Sequence, residues 1–151
     1  MQSNSDFEEI LQSFNAAGVK YLVVGAYAVA AYSRPRATGD IDLWVDTDAD
    51  NARRTYRALA AFGAPMDQVD ERTFCEPDIV FQVGVAPVRI DILTAIDGVT
   101  FGEAWPHRVA VTIGAIPTNV LGRDDLLRNK RASGRAQDVA DLERLERDRN
   151  R

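Results

Sequence analysis

Apolar residues recur at helical spacing near the start of the chain, at Phe7, Ile10, Leu11 and Phe14. With Ser5 or Asp6 as caps and Gly18 as the stop, they predict a first amphipathic helix. Residues 20–24 are a short β-type run ending at Gly25, and the alanine-rich stretch 26–32 predicts a tightly packed helix. Arg34-Pro35 breaks that helix and Gly39 marks a turn. Residues 40–45 then alternate with a period of two, which predicts a strand. Asp48 or Asp50 caps a further helix with Tyr56, Leu59, Ala60 and Phe62 on one face, closed by Gly63. Residues 64–77 form a polar connection. Strands at 79–83 and 88–93 are close enough for an antiparallel hairpin, and 109–113 with 115–119 predict another β pair around Gly114. Two helices, 123–132 and 135–147, hinged at Ser133-Gly134, end the pattern.

No repeat or linker interrupts this order, and 151 residues with 46% hydrophobic content suffice for one core. The expectation is a single α/β domain over 1–151: a short mixed sheet flanked by helices over 1–121, and a helical tail over 122–151. A formal charge of −5 makes the surface repel a nucleic-acid backbone overall. Basic charge concentrates at the C-terminus, where residues 122–151 carry nine Arg or Lys against seven acids, compared with nine against sixteen over 1–121. No apolar stretch approaches the ~20 residues of a membrane span, and the acidic start is unlike a signal peptide, so a cytoplasmic protein without a membrane partner is expected. Cys75 is the one cysteine, expected as a small buried apolar residue.

Alternation along Asp40-Ile41-Asp42-Leu43-Trp44-Val45 puts Asp40 and Asp42 on one face and Ile41, Leu43 and Val45 on the other. The two carboxylates stand roughly 6 to 7 Å apart at Cα. Like charges at that spacing repel unless solvent or a cation intervenes, and hard oxygen ligands suit Mg²⁺ completed by water and phosphate. Val88-Arg89-Ile90-Asp91-Ile92-Leu93 supplies a further acid, and if the two strands are neighbours Asp91 completes a triad able to hold two cations. The competing account is that these acids coat the solvated face of an antiparallel sheet. Position favours the chemical account, because the Gly25-Ala26 turn into a helix shortly before the acid pair offers free N–H groups to a phosphate.

Leu22-Val23-Val24-Gly25-Ala26, Gly39-Asp40-Ile41-Asp42-Leu43 and Arg89-Ile90-Asp91-Ile92 together resemble the nucleotidyltransferase superfamily of the polymerase-beta type. Ala26 departs from its pattern, which has Gly or Ser after the first glycine. Asp125-Leu126-Leu127-Arg128-Asn129-Lys130, the segment 134–142 and Arg36-Ala37-Thr38 are similar to the small bacterial AbiEii-like group, which includes toxin-antitoxin nucleotidyltransferases. The resemblance covers about residues 20–142. It implies a nucleotidyltransferase fold and transfer of a nucleoside monophosphate from an NTP, releasing pyrophosphate. It implies two Mg²⁺ ions, or Mn²⁺, on Asp40, Asp42 and Asp91, with Lys130 reaching the triphosphate. Gly25, Ala26, Arg36, Thr38 and Arg135 are the expected nucleotide contacts, with Asp138 and Asp141 orienting Arg135. The acceptor stays open between RNA, a protein hydroxyl and a small molecule, and a cognate antitoxin or toxin is a possible partner.

Duller accounts stand beside several of these residues. Lys130 reads equally as a solvated helix lysine, and Arg135, Asp138 and Asp141 as ordinary helical charge pairs. His107, the only histidine, reads as a strand-edge residue with a backbone partner rather than a base. Trp44 shares the acids' face, where it either stacks on a ring or caps the sheet. Tyr27 and Tyr32 read as helix packing. Ala26 also leaves room for an inactive relative that only binds nucleotide or a partner protein.

Overall fold

In a computed structural model of the chain, residues 5–33, 39–85 and 88–148 are described. Helix α1 spans Ser5–Ala16, and its buried stripe is the predicted Phe7, Ile10, Leu11 and Phe14. Strand β1 (Tyr21–Val24) runs directly into α2 (Gly25–Tyr32), and β2 (Asp40–Val45) follows. Helix α3 (Ala49–Phe62) starts at Asp48, whose side chain accepts from the Asn51 N–H, and ends on left-handed Gly63. Strands β3 (Val80–Val85) and β4 (Val88–Leu93) form the expected hairpin. Between β4 and β5 lies a helix that the hydrophobic pattern does not reveal: α4 (Phe101–Ala104), opened by a capping box of Thr100 and Glu103. Strands β5 (Val109–Ile113) and β6 (Ile116–Val120) pair antiparallel, and α5 (Arg123–Ser133) and α6 (Ala136–Arg147) complete the order.

One six-stranded mixed sheet carries these helices, in the order β3-β4-β2-β1-β6-β5. Strand β2 is central, antiparallel to β1 and parallel to β4. Alternation along the strands feeds two cores. Tyr21, Val23, Ile41, Leu43, Ile90 and Ile92 pack with the apolar faces of α1 and α3. Leu22, Val24 and Trp44 pack with Ala28 and Val29 of α2, Leu126 and Leu127 of α5, and Leu145 of α6. Asp40 and Asp42 share the parity of Trp44, so they lie on this second, helix-covered face.

Two expectations fail here. Cys75 is exposed: in the short 3₁₀ turn Thr73–Cys75, Phe74 is buried and its neighbour faces outward. His107 ends another 3₁₀ turn, Trp105–His107, instead of lying on a strand edge. Its Nδ1 lies 3.0 Å from the buried Asp125 carboxylate, not a backbone group. Tyr27 and Tyr32 are packing residues as expected, Tyr27 edge-on to Phe7 and Tyr32 donating to the Leu121 carbonyl at 2.7 Å. Among the described residues no helix is long and apolar enough to cross a membrane.

Candidate active site

The parallel pairing of β2 with β4 sets the site. Its register aligns Asp40 with Arg89 and Asp42 with Asp91. Residues paired this way point to the same side of the sheet, so Asp42 and Asp91 stand side by side on the face that carries Asp40. The account in which the acids merely coat a solvated face fails, because Trp44 on the same face is 1% exposed and Asp91 only 7%.

Crowding is visible in the chemistry of Asp42. Burial first, then the charge and hydrogen bond of Asp91 and the charge of Asp40, raise its pKa from 3.8 to about 7, while Lys130 pulls it down. A carboxylate held this way gains most from a neighbouring cation.

Gly25 shapes the other wall. Its φ of +69° is a left-handed conformation that L side chains rarely adopt. A Cβ there would overlap Asp42 Oδ2 and lie 3.1 Å from Asp42 Cγ. The glycine thus lets the start of α2 press against the carboxylate. No side chain caps this end of α2, whose first residues are Gly25 and Ala26.

Arg89 is the residue that motif reading passed over. Its Nε donates to Asp91 Oδ1 at 2.9 Å, and its Nη2 to Asp91 Oδ2 and Asp40 Oδ2, both at 3.2 Å. The signal was present in the sequence, since Arg89 and Asp91 have the same strand parity, but its reach to Asp40 depends on the register. Among the described residues no group of three acidic, imidazole or thiol side chains is gathered ready to hold a metal ion. The guanidinium lies among the carboxylates instead. As a donor set they nonetheless fit Mg²⁺: hard oxygens, adjacent across two strands, with mutual repulsion for a cation to relieve.

Lys130 is neither solvated nor free. It is 5% exposed, and its Nζ lies 2.9 Å from Asp138 Oδ1 and 3.3 Å from Asp141 Oδ2, both acids being 1% exposed. Expected to orient Arg135, Asp141 instead faces Lys130, whereas Asp138 serves both cations and accepts from Arg135 Nε at 2.8 Å. Burial raises the pKa of Asp138, but hydrogen bonds from Arg135, Lys130 and Ser133 outweigh it and hold the carboxyl far below its ordinary range. The Arg135 side chain is 76% exposed, and the charges of Asp97 and Asp42 both act on it, so it stands at the rim of the acid site. Trp44 is buried edge-to-face against Phe101, which leaves it no free face for a ligand. Arg36 and Thr38, with Arg34, lie outside the described residues.

A central mixed sheet with acids on two neighbouring strands beside a glycine-led helix is the arrangement of a nucleotidyltransferase. A candidate nucleotidyltransferase from Thermotoga maritima shares the fold, with a TM-score of 0.62 at 14% identity over 93% of this chain and 90% of that one. A lincosamide antibiotic adenylyltransferase, LnuA, solved with lincomycin bound, does so with a TM-score of 0.61 at 14% identity over 95% of this chain and 96% of that one. The chain belongs to the family of nucleotidyl transferases of unknown function DUF2204, whose model matches residues 3–151. No curated protein matches it.

Proposed function

We propose that this nucleotidyltransferase moves a nucleoside monophosphate from an NTP to a hydroxyl of a small molecule, using Asp40, Asp42 and Asp91 as ligands for Mg²⁺. The observation that carries the reading is the register of Asp42 against Asp91 beside Gly25. In the reaction the acceptor oxygen bonds to the α-phosphorus, the bond from that phosphorus to the pyrophosphate oxygen breaks, and the hydroxyl proton passes to a site carboxylate. Divalent ions, when bound, supply charge for the attacking and leaving oxygens. The chain's own residues position the reactants. N–H groups at the start of α2, at Gly25 and Ala26, face a phosphate, and Arg135 offers an exposed guanidinium at the rim. Arg36 and Thr38 are further candidate nucleotide contacts.

A small acceptor is favoured by the formal charge of −5, which works against collecting RNA. It also suits the likeness in fold to LnuA, solved with lincomycin bound, which runs over nearly all of both chains. The resemblance of the C-terminal motifs to the AbiEii-like group favours a second reading, with RNA as acceptor and a cognate toxin or antitoxin as partner.

Incubation with each α-labelled NTP and Mg²⁺ or Mn²⁺, against small hydroxylated antibiotics, RNA and cell protein in separate arms, tests this. Label on a small molecule, abolished by Asp42→Asn with folding intact, is the expected result. Label on RNA would replace the acceptor. NTP binding without transfer in any arm would leave the chain a nucleotide- or partner-binding module.

A further inference from the structure

We infer that Arg89 is a built-in counter-cation: it holds Asp91 and Asp40 in the nucleotide-free protein and releases them when a divalent ion arrives with a triphosphate, so that metal and nucleotide load together. The inference rests on the proposal that these carboxylates are metal ligands.

Three observations support it. The guanidinium fork donates to both oxygens of Asp91 and one of Asp40, so it occupies one acceptor site on each and sets a fixed positive charge beside the oxygens a divalent ion would need. Arginine stays protonated at any working pH, so only a competing cation or a better anion can release the acids. Among the described residues, the other two cations near the site are committed elsewhere: Lys130 is paired with Asp138 and Asp141, and Arg135 with Asp138. Arg89 alone among them binds the acids of β2 and β4 directly, and its side chain is 30% exposed, which leaves it room to turn outward.

The charges also match. A bare divalent ion must displace a fixed positive charge from its ligands with nothing offered in exchange. A triphosphate brings several negative oxygens, which planar guanidinium groups bind in pairs. Its arrival therefore gives Arg89 a new partner as the ions take the carboxylates. The same residue would serve as a lock in one state and a phosphate contact in the next.

Mn²⁺ binding followed by electron paramagnetic resonance on the full chain tests this, with and without a non-hydrolysable ATP analogue, in wild type, Arg89→Gln and Arg89→Lys. Wild type should bind Mn²⁺ much more tightly with the analogue than without it. Arg89→Gln should bind Mn²⁺ alone at least about 10-fold more tightly than wild type, the low end for lost hydrogen bonds between charged groups, and Arg89→Lys should fall between them. Thermal unfolding adds a second readout: Arg89→Gln should melt lower than wild type in EDTA and regain the loss in Mn²⁺, whereas a purely structural arginine would cost the same in both. If wild type binds Mn²⁺ and Arg89→Gln binds it no more tightly, the counter-cation role is overturned while the metal site stands. If neither binds Mn²⁺ under any condition, the metal reading falls and takes this inference with it.

Discussion

Replacing Gly25 with alanine separates backbone strain from placement of a carboxylate. The left-handed φ of +69° costs a residue with a Cβ about 1 to 2 kcal/mol. In a protein of this size that lowers the melting temperature by about 2 to 8 °C. The new methyl group also overlaps Asp42 Oδ2. A carboxylate end can rotate away more readily than the backbone of a central strand can shift, so the clash is relieved by turning Asp42 out of its position. Displacement of a reacting or ligating group by about 1 Å is enough to cost on the order of 100-fold in rate. Gly63→Ala is the matched control, since Gly63 has φ +99° and nothing within 4 Å of the added Cβ. Melting curves and labelled-NTP transfer on both variants give the comparison. Gly25→Ala should lose about 100-fold in activity at a modest cost in stability, and Gly63→Ala should show a similar cost with activity kept. Equal activities in the two variants would refute the reasoning, because strain without displacement would then explain everything Gly25 does.

Lys130→Met leaves Asp138 and Asp141 buried without their ammonium and should destabilise the fold by about 3 to 5 kcal/mol in urea titration; a loss under about 1 kcal/mol would contradict the pairing. Acid has two opposite effects. Asp138 sits below its ordinary pKa, so the unfolded chain takes the proton first, and the stability it contributes is present above about pH 4 and lost as pH falls below it. Asp42 sits above its ordinary value, so without metal the stability falls as pH rises from about 4 to about 7. Asp138→Asn should flatten the first slope of a pH-dependent melting series and Asp42→Asn the second, and unchanged slopes would deny the shifts. Cys75 should react with a thiol reagent in the native protein without denaturant; a requirement for unfolding would mean it is buried after all.

Strand parity explains why much of the site was legible before any coordinates. Alternation in residues 40–45 and 88–93 dictates which side chains share a face, and Gly25 marks its turn by residue type alone. What parity cannot supply is which strands are neighbours and in what register. Asp42 meets Asp91, and Arg89 reaches Asp40, only because β4 lies parallel to β2 with Asp42 opposite Asp91, a tertiary result. The burial of Lys130 was hidden for a similar reason: its partners lie on the next helix, and a lysine among polar residues carries no sign that two carboxylates will enclose it. Helix α4 was legible in principle, since Thr100 and Glu103 have capping-box spacing, but four residues are too few to show a helical period. His107 and Cys75 misled because single residues in 3₁₀ turns have no periodicity to read.

Among the described residues, the three cations near the acids differ in what it takes to move them, and that difference bears on which of them would meet a triphosphate. Withdrawing Lys130 would strand two carboxylates that are each 1% exposed, a cost that no exposed phosphate contact is in a position to offset. Its ammonium is better placed to act through the field it casts on Asp42, whose pKa it lowers, than by reaching outward. Arg135 keeps one nitrogen on Asp138 and leaves most of its side chain in solvent, so it can add a phosphate contact without giving up its anchor. Arg89 has the opposite constraint, because its guanidinium donates to the acids Asp91 and Asp40, and it can serve a nucleotide only by exchanging one set of oxygens for another. A buried lysine that holds two helices, an arginine anchored on Asp138 at the rim and an arginine bound to the acids of both strands thus differ in how free each is to meet a nucleotide, a distinction that sequence spacing does not show.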